Sequence, residues 1–333
     1  MKILVIKQTS LGDVLHSTGH VRAIKQTWPE CELVLLTATG SADIYRHNPW
    51  VDRMILVDRY RVKHNWFREP VWCIRHMNDV MSQVRSDWFD FAFDLQGLAK
   101  SAVFLYGARA KQKFIKGAWP GIKGYRRSNL HAIREMDGVL RLAGIENIDT
   151  SMEFATSEHE VEKIDNLLDK FNPAGKPFII FSPFSRWPSK DWPLDFFLQV
   201  AKRIANDRLV LFTGAPERAA LIDQALMRSP ESSIISLAGK LSLLEFAELV
   251  RRAALMLTGD SFPMHVAVAC KTEVVALFGP TDEARVGPPE GLGYVVRAPD
   301  CRKCDRRDCS RRCLAKITVE SIEQKIQEIL VDR

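Results

Sequence analysis

The sequence predicts an α/β protein of two Rossmann-like domains, each built on a parallel sheet. Three observations carry that expectation. Short apolar runs rich in Val, Ile, Leu and Phe alternate with helical patterns along the 333 residues, as in chains of strand–helix–strand units. The chain opens on such a run, Ile3 to Ile6, which breaks through a polar turn, Gln8 to Asp13, into a helical pattern. A second series of the same kind starts near residue 178, and the length is enough for two cores.

In the first series, Cys31 to Thr37, Met54 to Val57 and Phe89 to Leu95 read as the next strands, the last ending at Gln96-Gly97. From about Ile145 to Pro177 the chain turns polar. Glu158 to Phe171 reads there as a helix, and Asn172-Pro-Ala-Gly-Lys-Pro177 reads as a linker. Phe178 to Phe181, Leu209 to Phe212, Ile234 to Ser236, Leu255 to Thr258 and Val274 to Phe278 read as strands of the second domain. Leu243 to Val250 is apolar at helical spacing and reads as a core helix. Thr318 to Leu330 puts Val319, Ile322, Ile326, Ile329 and Leu330 on one side of a terminal helix. The expected division is 1–165, 176–317 and a C-terminal helix, 318–333.

Composition excludes several classes. The chain is 46% apolar and 26% charged, ordinary for a globular protein. No run of about 18 apolar residues predicts a membrane-spanning helix. The N-terminus reads as a strand rather than a cleavable leader, so a cytoplasmic chain is expected. Net charge of +6 suits an anionic partner or an acidic membrane surface. Nothing resembles a nucleic-acid-binding motif, and no nucleic-acid partner is expected. No Gly-x-Gly-x-x-Gly follows the first strand and no Walker motif occurs, which argues against dehydrogenase and P-loop readings.

Ligands of doubly wound domains sit beyond the carboxyl ends of the strands. Asp13 lies in such a turn beside Ser10 and Gly12, so it is a candidate general base. Ser10-x-x-Asp13 also fits a capping box. The readings are compatible, because a helix N-terminus favours the ionised carboxylate. In the second domain, Asp260-Ser261 follows a strand and opens a helical pattern from Met264 to Cys270. Such an N-terminus offers free N–H groups to phosphate. Asp260 would repel phosphate, so hydroxyl or N–H partners or a capping role are expected for it. His265 is either a phosphate or sugar contact or a structural histidine. Lys190, in a Pro-bounded loop, would hold a diphosphate as a point charge, with Arg186 assisting; the alternative is an exposed loop lysine. Arg59, Arg61, Lys63, His64 and Arg68 cluster with Trp66 and Phe67, and Lys100 follows the Gln-Gly turn; these cations suit an acceptor bearing carboxylates and phosphates.

Four cysteines, Cys301, Cys304, Cys309 and Cys313, lie close together among basic residues, whereas Cys31, Cys73 and Cys270 are isolated. Such a cluster in a cytosolic chain suggests a metal rather than disulfides. The spacing is not that of a ferredoxin, and four thiolates suit a closed structural Zn or mononuclear Fe site. A site just before the terminal helix would fix that helix and stay out of the chemistry.

Five segments together resemble one family. They are Lys7-Gln-Thr-Ser-Leu-Gly-Asp-Val-Leu-His16, Asp94-Leu-Gln-Gly-Leu-Ala-Lys-Ser101, Ser189-Lys-Asp-Trp-Pro193, Thr258-Gly-Asp-Ser-Phe-Pro-Met-His265 and Phe278-Gly-Pro-Thr-Asp282. In this order they resemble motifs of the ADP-heptose:lipopolysaccharide heptosyltransferases, glycosyltransferase family nine. Phe262 stands where the family usually has Gly.

The resemblance implies a GT-B arrangement with a cleft between its domains. It implies inverting transfer of heptose from ADP-heptose to the anionic inner core of lipopolysaccharide (Kdo-lipid A), at the inner face of the inner membrane. The heptosyltransferase I branch is the most similar. It implies Asp13 and Lys190 as catalytic residues. Ser10, Gly12, Arg186, Glu217, Asp260, Ser261, His265 and Thr281 would bind the donor, with Glu217 on its ribose. Arg61, Lys63 and Lys100 would bind the acceptor. No catalytic metal is expected. The alternatives are heptosyl transfer to a protein such as an autotransporter, and a non-catalytic sugar-nucleotide binder.

Overall fold

A computed structural model of the chain describes every residue except 127, 129, 206, 207, 229, 310, 311, 332 and 333. Two units emerge, Met1–Ala155 and Thr156–Arg333. Among the described residues each unit holds one six-stranded parallel sheet.

In the first unit the strands are β1 (Lys2–Ile6), β2 (Glu32–Ala38), β3 (Arg53–Val57), β4 (Trp88–Asp94), β5 (Arg109–Lys116) and β6 (Lys123–Tyr125). Their order is β3-β2-β1-β4-β5-β6. In the second unit they are β7 (Phe178–Ser182), β8 (Leu209–Phe212), β9 (Ile234–Ser236), β10 (Leu255–Gly259), β11 (Val274–Phe278) and β12 (Tyr294–Arg297), in the order β12-β11-β10-β7-β8-β9. Counted from its own first strand, each sheet has the 3-2-1-4-5-6 order of a dinucleotide-binding fold. The central strands are buried on both faces, as continuous apolar runs such as Ile3 to Ile6 require. The reversal of strand order falls beside β1 and β4 in one sheet and β7 and β10 in the other. Ligands of such sheets bind there, at the carboxyl ends.

The boundary falls ten residues before the expected 165. Helix Glu158–Phe171 belongs to the second unit, because its polar face is tied to helix Leu243–Arg252. Lys163 pairs with Glu245 at 2.8 Å, Arg252 pairs with Asp165, and Thr156 donates to Glu248 at 2.8 Å. The helix expected over Glu158 to Phe171 is thus present and docked through charge.

The terminal helix, Val319–Val331, is likewise part of the second unit's core rather than a separate segment. Val319, Ile322, Ile326 and Ile329 pack in one cluster with Trp192, Phe197 and Val200. The Trp192 indole donates to Ile317 O at 3.0 Å, which ties the segment before this helix to the loop after β7. Residues 332 and 333 of the expected terminal segment lie outside the described residues. No helix among the described residues is long and apolar enough to cross a membrane.

Candidate active site

The turn after β1 is held from both sides. Ser10 caps helix Leu11–Leu15, and Asp13 stands at the helix's third position. Asp13 Oδ2 accepts from Ser10 N at 3.0 Å and from Ser10 Oγ at 2.9 Å. The capping box is thus present, and Asp13 remains half-buried at the sheet's carboxyl edge, with Gly12 buried beside it. From the other side, Gln96 Oε1 accepts from Gln8 N at 3.2 Å and Thr9 N at 3.0 Å. Gln96 is itself set by Asp94, whose Oδ1 accepts from Gln96 N and Gly97 N at 2.8 and 3.0 Å. Gly97 has φ +64°, and a Cβ there would lie 2.0 Å from Lys116 O, so only glycine fits this close approach. Burial raises the Asp94 carboxyl above its usual range.

Cations gather on this turn. Lys100 Nζ donates to Thr9 Oγ1 at 3.1 Å, and Arg59 donates to the same oxygen at 3.4 Å. Partial burial, helped by the charges of Arg59 and Lys63, lowers the Lys100 ammonium, while Asp13 opposes the shift. Lys63 is exposed on helix Arg59–Asn65. Arg61 points elsewhere: it pairs with Glu69 and lies 4.0 Å from the Trp72 ring centroid. Among these helix residues it is Arg59, at the helix's first position, that reaches the turn.

Lys7 was readable only as part of a motif. It is 4% exposed at the end of β1, and Nζ lies 3.4 Å from Leu95 O. Burial pushes its ammonium down to about 8, against the attraction of Asp13.

The second unit gathers its polar groups at the ends of β7, β10 and β11. Asp191 Oδ1 accepts from Ser185 N at 2.7 Å and Ser185 Oγ at 2.8 Å, closing the loop that carries the short 3₁₀ turn Pro188–Lys190. Lys190 Nζ pairs with Asp260 Oδ2 at 2.6 Å, and Thr281 Oγ1 donates to the same oxygen at 2.6 Å. Asp260 is 5% exposed. Its partners are therefore an ammonium and a hydroxyl. Lys190 Nζ also stands 4.4 Å from the Trp187 ring centroid. Ser261 stands at the N-cap position of helix Phe262–Ala269, its Oγ 3.3 Å from Thr258 Oγ1, and His265 is buried in that helix. Glu217, in the first turn of helix Pro216–Met227, and Arg186 are exposed. Lys190, Asp260 and Thr281 are thus in direct contact, with Ser261 next in the chain to Asp260, whereas no bond joins Arg186 or Glu217 to them among the described residues.

The cysteine loop lies at the edge of the second unit's core. Among the described residues no group of three or more potential ligands gathers to hold a metal. Cys301 and Cys313 pack partly buried against the apolar core, burial and the neighbouring Cys313 thiol push Cys301 up to about 12, and Cys304 is exposed. The loop also reaches beyond the terminal helix. Asp305 N donates to Pro280 O at 2.9 Å, Ser189 Oγ donates to Arg306 O at 2.6 Å, and Lys303 pairs with Asp282 at 2.5 Å. It therefore braces the loops that carry Lys190 and Thr281.

The depressed Lys7 ammonium has a measurable consequence. Between about pH 8 and 10.5 the unfolded chain binds more protons at this position than the folded one, so stability rises with pH through that window. Urea unfolding of wild type and Lys7→Met across that range should show a rise, about 3 kcal/mol at most, in the wild type alone. Parallel pH profiles would show that Lys7 is not a buried charged amine.

Three comparisons bear on identity. The family model for glycosyltransferase family 9 (heptosyltransferase) matches residues 77–315. Lipopolysaccharide heptosyltransferase 1 of Escherichia coli O18:K1:H7 is 22% identical, over 98% of each chain. Lipooligosaccharide heptosyltransferase 2 of Haemophilus influenzae is 28% identical, over 99% of each. The solved E. coli heptosyltransferase WaaC with ADP superposes with a TM-score of 0.78 at 21% identity, covering 99% of this chain and 100% of that one. The α/β fold is that of the GT-B heptosyltransferases. With the family model spanning both units, the chain belongs to glycosyltransferase family 9, the heptosyltransferases.

Proposed function

We propose that this glycosyltransferase moves heptose from ADP-heptose to a hydroxyl of the inner core of lipopolysaccharide, with inversion at the anomeric carbon. The observation that carries the reading is the placement of Asp13, a half-buried carboxylate at the carboxyl end of β1 with Arg59 and Lys100 at the same turn. In the reaction, Asp13 accepts the proton of the acceptor hydroxyl as that oxygen attacks the anomeric carbon. The bond from that carbon to the diphosphate oxygen breaks, and ADP leaves with the electron pair. Lys190 leaves Asp260 to offset the charge building on the diphosphate, with the N-terminus at Ser261 beside it. Glu217 would hold the ribose. No step is assigned to a metal.

Arg59, Lys63 and Lys100 would meet the carboxylates and phosphates of the acceptor. Relatives named heptosyltransferase 1 and heptosyltransferase 2 both match at low identity. Transfer to the Kdo-proximal position is our preferred step, resting on the Arg61–Phe67 and Gly97–Ser101 segments.

A site acting on a lipid-borne acceptor should work at the inner-membrane surface. Tyr60, Trp66, Phe67, Val71 and Ile74 are exposed, Phe67 at 96%, among Arg61, Lys63 and Arg68. Aromatic tips interleaved with cations suit an anionic lipid surface.

Mass spectrometry after incubation with ADP-heptose should show one heptose added to Kdo-lipid A and one ADP released. Product only from an acceptor already carrying heptose would move the enzyme to a later step; product only on a protein, or none, would overturn the reading. In sedimentation with phosphatidylglycerol vesicles, Trp66→Ser plus Phe67→Ser should lose most of the wild-type binding. Equal binding by the two proteins would remove this face from membrane contact.

A further inference from the structure

The cysteine-rich loop brings a second cation to Lys190. Ser189 N donates to Arg307 O at 3.4 Å, and Ser189 Oγ holds Arg306 O. Arg307 Cζ lies 5.3 Å from the Trp187 ring centroid, on the same indole that Lys190 Nζ approaches at 4.4 Å. Two positive groups from segments more than a hundred residues apart therefore share one aromatic ring.

Their charges are compensated differently. Lys190 is paired with Asp260. Lys303, in the same loop as Arg307, is paired with Asp282 and Glu283. Arg307 forms no ion pair among the described residues, although Asp305 and Asp308 flank it in sequence, and its side chain is exposed. Like charges disfavour one another, and an anion that reaches both offsets this. Such a pair suits an anion with more than one charged centre. A lysine contributes a point charge, whereas a guanidinium presents a planar fork to two phosphate oxygens.

We propose that Arg307 is a donor-binding residue that takes the diphosphate of the nucleotide sugar together with Lys190, and that the cysteine-rich loop serves to deliver it. This rests on the donor assignment made for Lys190. The loop's own anchors fit that task. Its backbone is tied to Ser189 on one side and to Pro280 on the other, so the guanidinium is carried on a segment fixed to both donor loops.

The test is calorimetric titration of the full-length protein with ADP, AMP and adenosine. Arg307→Gln should weaken ADP by about fivefold or more, weaken AMP less, and leave adenosine unchanged. Arg302→Gln removes the same charge from the same loop away from Trp187, and should keep ADP affinity within about twofold. Arg307→Lys should restore part of the loss. If Lys190→Ala weakens ADP and Arg307→Gln does not, the inference about Arg307 is wrong and the donor reading stands. If Lys190→Ala also leaves ADP unchanged, the donor reading itself has failed. Equal losses for adenosine and ADP in Arg307→Gln would make Arg307 a packing partner of Trp187 and overturn the proposal.

Discussion

The ion pair between Lys190 and Asp260 organises the second unit's functional edge. It joins the loop after β7 to the end of β10, and the Thr281 hydroxyl on the same oxygen adds the end of β11. A carboxylate this buried is stable only with its charge compensated. Removing the lysine would therefore leave an uncompensated charge as well as a missing ligand. The pair also dictates its neighbour: a Cβ on Gly259 would lie 2.7 Å from Lys190 O, so glycine is required where the backbones meet. A lysine held this way is positioned before any anion arrives. Its release from Asp260 is the exchange that a diphosphate would drive.

The first unit fixes its turn through a relay of hydrogen bonds. Asp94 sets Gln96, Gln96 sets the backbone of Gln8 and Thr9, and that backbone presents Ser10 and Asp13. The Gln96 link carries the order set at the end of β4 across to the end of β1, its neighbour in the sheet. The site thus depends on adjacency at the point where strand order reverses. The cations Arg59 and Lys100 then meet at Thr9, one side chain from the helix after β3 and the other from the helix after β4.

Most of this fold was legible because it is buried. The central strands are continuous apolar runs, and burial on two faces leaves little alternative for Ile3 to Ile6 or Val274 to Phe278. Strand β5 was not legible, since Arg-Ala-Lys-Gln-Lys-Phe-Ile-Lys is buried only near its carboxyl end and reads as a basic loop. Near the site, Asp13, Lys190 and Asp260 were visible through their position at strand ends. Arg59 and Arg307 were not singled out, because each sits in a run of interchangeable cations and only the fold decides which one reaches Thr9 or Trp187. The cysteine spacing reports which thiols are close along the chain, not that Cys301 and Cys313 pack partly buried against the core while Cys304 is exposed.

The central claim is that Asp13 caps its helix and also removes the acceptor proton. Single-turnover kinetics of Asp13→Asn with ADP-heptose and a Kdo-lipid A acceptor tests it most directly. Asparagine keeps an oxygen for the Ser10 bonds but is not a base. The account predicts unchanged ADP affinity and thermal stability, with transfer slowed by about 10² to 10⁴. Transfer within a few-fold of wild type would confine Asp13 to the cap and contradict the account.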